Sequence, residues 1–182
     1  LILLLLLFVV TSTSPVAAGT PEGALRIQSA YENALEEWAG KLAIAAPQEQ
    51  LNVWANRPVS SHHAGLMWNE IKGDLDKEWA IDHCVWLLER APVYSVGREE
   101  GSEVSRAARI VEALRTVHYR NEKVGMLCLA LTSQSDPAIM KVVEKVEAQN
   151  PSGQVQGQAS LAIAMMLKGL GDDPEVMEKR IS

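Results

Sequence analysis

The chain has 182 residues, 47% of them hydrophobic and 22% charged, and its 17 Lys and Arg against 23 Asp and Glu give a formal net charge of −6. That is enough apolar sequence for one ordinary core or a short stack of helical repeats, so disorder is not the default state. The charge is spread, with no run of Lys or Arg long enough to attract phosphates or anionic lipid, so neither nucleic acid nor a membrane surface is expected as a partner.

The first stretch, LILLLLLFVV from Leu1 to Val10, is uninterrupted apolar sequence, and the following TSTSPVAAG carries small residues at Val16 and Ala18 at the spacing signal peptidase prefers. Residues 1 to 18 read as the end of a secretory signal peptide that lacks its Met and basic start, so an N-terminal truncation is expected. A helix needs about 20 apolar residues to cross a bilayer core of roughly 30 Å, and this run is shorter. An uncleaved anchor is the alternative if upstream sequence lengthens it. Export places the expected location in the periplasm or cell envelope of a bacterium.

Residues 19 to 59 form a long helix and a connector. After Pro21, the stretch EGALRIQSAYENALEEWAGKLAIAA sets Ile27, Tyr31, Leu35, Trp38 and Leu42 at spacings of three and four, with Glu32, Glu36 and Lys41 facing elsewhere. This periodicity predicts one amphipathic helix. Pro47 ends or restarts it, EQLNVWANR adds a short helical piece, and Pro58 stops that in turn.

From Ser60 the pattern becomes repetitive, and strand signals are almost missing, which makes the fold class all-α. The segments from Trp68, Ala108 and Met140 each read as an amphipathic helix, a short polar turn and a more apolar second helix. Asp76, Asn121 and Ser152 are the candidate N-caps of the second helices, where a side-chain oxygen accepts from an unpaired N–H of the first turn. Ile81, Val124 and Val155 hold equivalent places, and their separations of 43 and 31 residues bracket the periods of about 34 and about 40–47 residues of tetratricopeptide and HEAT-like repeats. Residues 60 to 172 are therefore expected to form three helical hairpins stacked as a short TPR- or HEAT-like α-solenoid. Ser102, and Asp136 followed by Pro137, are the expected starts of the outer helices of hairpins two and three. APVYSVGREEG, residues 91 to 101, is the longest loop candidate, and residues 173 to 182 read as the start of a further helix or a linker.

The last second helix, SGQVQGQASLAIAMML, is apolar on most of its circumference because it would lie between its partner and neighbouring repeats. Gly157 and Ala159 offer a small face for close approach of another helix. Gln154, Gln156 and Gln158 lie two apart, about 200° around a helix, so they do not converge on one ligand and are expected to face solvent or cap. Trp38, Trp54, Trp68, Trp79 and Trp86 all fall in segments read as helical and are expected as packing anchors rather than a ligand cage.

Candidate chemistry is sparse. Cys84 and Cys128 are 44 positions apart with no Cys-x-x-Cys anywhere, so a thioredoxin-type site is missing from this stretch. Two buried thiols acting as small hydrophobes are expected, with a mutual disulfide as the alternative. His62, His63, His83, Cys84 and His118 are the residue types of a zinc site, but neighbouring histidines diverge by about 100° on a helix and no His-x₃-His pair occurs. Asp82-His83-Cys84 has the residues of a nucleophile, base and orienter, yet consecutive helix positions diverge. The Glu-rich ENALEEWAG reads as a solvated helix face before a pair of general acids and bases. No catalytic, cofactor-binding or metal-binding residue is assigned, and no cofactor.

SGQVQGQASLAIAMML preceded by VEKVEAQNP, together with WAIDHCVWLL and HYRNEKVGMLCLAL, resembles the helical N-terminal region of secreted thioredoxin-like (redoxin) proteins of planctomycete and verrucomicrobial type. The resemblance covers roughly residues 22 to 170. It implies that a thiol-active thioredoxin domain follows the helical region, so the reading frame is expected to continue past Ser182 into that domain. None of the family's active cysteines has a counterpart here. The expected function is a non-catalytic interaction or spacer module of an exported thioredoxin-like protein, its partner another protein or its own downstream domain. A complete periplasmic TPR-like scaffold is the rival, and an enzyme with a metal site on His62, His83, His118 and Cys84 is the third reading.

Overall fold

Thr20 opens the fold seen in a computed structural model, which describes residues 19 to 134 and 136 to 171. The signal-peptide segment, the last residue assigned to the hairpin domain and residues 173 to 182 lie outside the described residues. Thr20 Oγ1 accepts from the Gly23 N–H at 3.0 Å and Pro21 occupies the first helical turn, where a missing N–H costs nothing. The helix so begun, α1, runs Pro21–Ile44. Glu70 anchors its start by accepting from the Thr20 N–H at 3.0 Å.

Pro47 restarts the chain as α2, Pro47–Ala55, which buries none of its own residues and packs on α1. Ser60–Ile71 forms α3, burying Ala64, Met67, Trp68 and Ile71. Ala80–Arg90 forms α4, the most apolar face of the first half, with Ile81, Cys84, Trp86, Leu87 and Leu88 buried. The expected loop from Ala91 to Gly101 instead contains a short helix, α5, Pro92–Val96. Pro92 presets the helical backbone angle there, and the buried Ser95 hydroxyl donates to the carbonyls of Leu87 and Ala91 at 3.2 and 3.0 Å. Only the remainder of the stretch is irregular, turning at Gly101 with φ of 76°, a left-handed conformation that favours glycine.

Arg106–Ala113 forms α6, continued by a π-helical turn over Leu114–His118. Val124–Ala130 forms α7, tightened into a 3₁₀ turn over Leu131–Ser133. Pro137–Gln149 is α8 and Gly153–Gly171 is α9. The described residues are thus all-helical with no strand, apart from one isolated bridge between Arg98 and Ser105. No helix among them is long and apolar enough to cross a membrane.

The caps follow the sequence in part. Asp136 accepts from the Ala138 N–H at 2.8 Å with Pro137 next, as expected. Ser152 accepts from the Val155 N–H at 3.5 Å, a long cap. The start of α6 is capped by Ser105, whose Oγ accepts from Ala108 at 3.1 Å, while Ser102 closes a tight turn with Val104. Asp76 does not cap α4 either: Trp79 stands at that position with no side-chain cap, and Asp76 pairs with Lys77. Asn121 Oδ1 accepts from the Lys123 N–H at 2.8 Å, but Lys123 itself stands at the N-cap position of α7, so Asn121 closes the turn before the helix rather than capping it.

Helices α4, α7 and α9 form a row, α4 against α7 and α7 against α9, with α1 on α3, α3 on α4 and α8 on α9. Polar ties run between successive turns on this row. Lys123 pairs with Glu78 at 2.9 Å; His118 donates from Nε2 to the Leu75 carbonyl at 2.8 Å. The buried Asn150 amide donates to the carbonyls of Tyr119 and Asn121 at 2.9 and 3.0 Å, and its Oδ1 accepts from the Ser152 N–H. Close approach occurs at Gly125, where a β-carbon would collide with Gln158. Gly157, expected to serve that purpose, faces open space.

Candidate interaction groove

The residues with catalytic or metal-binding potential are dispersed. His62 is exposed and His63 half-buried on α3, their rings 5.5 Å apart, and His63 stacks near Tyr31 at 5.2 Å. His83 is buried beside Trp79 at 6.0 Å, and His118 is committed to the Leu75 carbonyl. Among the described residues no group of three or more His, Cys, Asp and Glu side chains is placed to hold a metal ion. Cys84 and Cys128 are free and buried, and burial pushes both thiols up to about 12. Asp82 is exposed while His83 and Cys84 are buried, so the tripeptide diverges around the helix as its spacing requires.

Of the glutamines, Gln154 is exposed. Gln156 donates to the Asn150 carbonyl at 2.7 Å, and Gln158 reaches the Met126 sulfur at 3.7 Å. They cap and pack separately.

Burial holds the His83 imidazole below its ordinary value of 6.5, against a smaller opposing pull from Asp82. The folded chain therefore binds fewer protons here than the unfolded one as pH falls through about 6.5, and stability drops in that window. Urea midpoints measured from pH 7.5 down to 5 are expected to fall, with a shallower slope in His83→Leu. An unchanged slope in that variant would remove His83 from the account.

A groove of about 770 Å³ opens between α6 and α8. Ala107, Val111, Ile139 and Val142 are buried at its floor. Ala108 and Ala138 leave the walls low, because a single methyl on each helix cannot fill the gap. One end is lined by Val96, Ser105, Gln134 and Asp136, and the other by Glu112, Arg115, Lys141 and Lys145. Arg115 donates to both Glu112 oxygens at 2.8 and 2.7 Å. That bond and charge hold the Glu112 carboxyl below its usual range and raise the guanidinium in turn. Lys145 donates to the Arg115 carbonyl at 2.8 Å and lies 3.8 Å from the centre of the Tyr119 ring.

The α5–α6 connection is braced against α3, which fixes the Val96 and Ser105 end. Glu99 pairs with Arg109 at 2.7 Å and Lys72 at 3.2 Å, and Arg109 also donates to the Lys72 carbonyl. Partial burial raises the Glu99 carboxyl, but the Trp68 indole, Lys72 and Arg109 outweigh it and leave it lowered. The Trp68 N–H nevertheless lacks the geometry of a full hydrogen bond.

A smaller surface lies on α1 and α2. Trp38 donates to the Val53 carbonyl at 2.7 Å and packs on Trp54 at 5.3 Å. Trp54 is 55% exposed, so it is not the core anchor its helical position predicted, since among the described residues only α1 packs closely on α2. Trp79 sits in the turn before α4 rather than inside a helix, but is half-buried and packed against the core as expected of an anchor.

Apart from Asp136, whose signal is that of a helix cap, none of the groove residues is marked by a motif. Their only sequence signal is the pairing of small and β-branched residues on α6 and α8, which has no meaning until those helices are known to be neighbours. No protein-family model matches the chain, and no curated protein or solved structure matches it significantly.

Proposed function

We propose that the chain is a non-catalytic interaction module, with the pairs α3–α4, α6–α7 and α8–α9 stacked as a short TPR- or HEAT-like solenoid. On this reading it is exported and precedes a thioredoxin-like domain, as the resemblance to secreted redoxins implies. The observation that carries the reading is the α6–α8 groove, an apolar floor with charged rims on rigid helices. Such a surface binds by shape and apolar contact, with polar groups setting orientation. The repeated ties between turns support the stacked arrangement, because each pair leans on the one before it.

The thiols support the non-catalytic part, since a nucleophilic cysteine needs its thiolate and an accessible position. Insulin reduction by this chain with dithiothreitol is expected to stay at the uncatalysed rate. A water-soluble thiol reagent at pH 7 is expected to label Cys84 and Cys128 only after unfolding. Reductase activity, or rapid labelling of the folded chain, would overturn the non-catalytic reading.

A further inference from the structure

We infer that the groove between α6 and α8 takes an acidic peptide segment in extended conformation, its carboxylates on Lys141 and Lys145 and its apolar side chains on the groove floor. This rests on the interaction-module reading above. The charges lining the groove are unequal in what they have left to offer. Glu112 and Arg115 satisfy one another, and Asp136 is occupied as the cap of α8. Among the described residues, Lys141 and Lys145 are in no ion pair.

Lys145 is also held in place without being neutralised, between the Arg115 carbonyl and the Tyr119 ring. A positioned cation loses less freedom on binding a carboxylate than a mobile one, so more of the attraction appears as affinity. Lys141 precedes it by one helical turn, which sets the β-carbons of the two lysines roughly 6 Å apart on one face of α8. Alternate residues of an extended chain are about 6.6 Å apart on one side. Carboxylates at every second position therefore meet both lysines, while the residues between them point to the opposite side, toward the floor.

The rest of the molecule sharpens this selection. A net charge of −6 repels an acidic segment over most of the surface, so a local positive rim is where it can settle. A basic segment would meet like charge in the groove and opposite charge elsewhere. Alternation of acidic and apolar residues is thus the recognition pattern.

The test uses fluorescence anisotropy with two labelled peptides of about 12 residues, one alternating Glu with Leu and Ala, the other Lys with Leu and Ala. The Glu peptide is expected to bind about tenfold or more tightly, and to weaken as salt rises from 0.05 to about 0.5 M. Lys141→Glu, on the exposed rim, is expected to reduce its affinity about fivefold, with an unchanged helical circular dichroism spectrum. Ala108→Trp, which fills the groove, is expected to abolish binding. Equal or preferential binding of the Lys peptide, or no effect of Lys141→Glu, overturns the acidic preference. If Ala108→Trp still blocks binding in that case, the interaction-groove reading survives alone. No saturable binding of either peptide at about millimolar concentration overturns both.

Discussion

Replacing Trp86 with Ala is expected to cost about 3–5 kcal/mol of folding stability, the range for removing a large buried aromatic. Trp86 is 5% exposed on α4 and meets Tyr31 of α1 edge to face at 5.6 Å. Edge-to-face pairs add to the area they bury, so the loss loosens the seam between the long first helix and the rest of the molecule. The indole N–H has no acceptor among the described residues, and Trp86→Phe removes that unsatisfied donor along with some volume. The Phe variant is therefore expected to lose clearly less than the Ala variant. Urea unfolding measures both. A loss within about 0.5 kcal/mol for Trp86→Ala is the size of a surface substitution and would mean that α4 is wrongly oriented.

Asn150→Ala is the second large effect, on the order of 2–3 kcal/mol. Its side chain, 2% exposed, serves the Tyr119 and Asn121 carbonyls and the Ser152 N–H together. Truncation leaves those backbone groups without partners where water has poor access, and that desolvation penalty exceeds the mean worth of a hydrogen bond. Asn150→Asp is expected to be no better, because it sets a carboxylate against the two carbonyls that the amide supplied. The check is the urea midpoint at unchanged slope. A midpoint equal to the parent's for both variants would show that the turn between α8 and α9 does not depend on this brace.

These two residues were not equally visible beforehand. Trp86 stands out as a large apolar residue on the most apolar helix of its half, and its burial follows from periodicity. Asn150 reads as an ordinary polar turn residue next to Pro151, and nothing within four residues of it announces the carbonyls of Tyr119 and Asn121. His118 is similar: as a sequence element it belongs to a metal or catalytic inventory, whereas its ring is a tie to Leu75, 43 positions away. The corrected caps teach the same point at shorter range. Ser102 and Ser105 both carry the hydroxyl a cap needs, and the choice fell to Ser105 because the Arg98–Ser105 bridge brings the chain into α6 at that residue.

What the sequence determined by itself is the helical character of the chain and several of its boundaries. Apolar spacing of three and four, Pro21, Pro47 and Pro137 at helix starts and the Asp136 cap act through bonds and clashes within about one turn, so they are legible one segment at a time. Tertiary structure alone decided which faces were covered. Among the described residues Trp54 stays exposed because α2 packs closely on α1 alone, Gly125 rather than Gly157 receives a neighbour, and the groove exists because Ala107 and Ala108 come opposite Ala138. Burial and grooves depend on atoms that arrive from about 30 positions away, and a local pattern carries no information about which segment arrives.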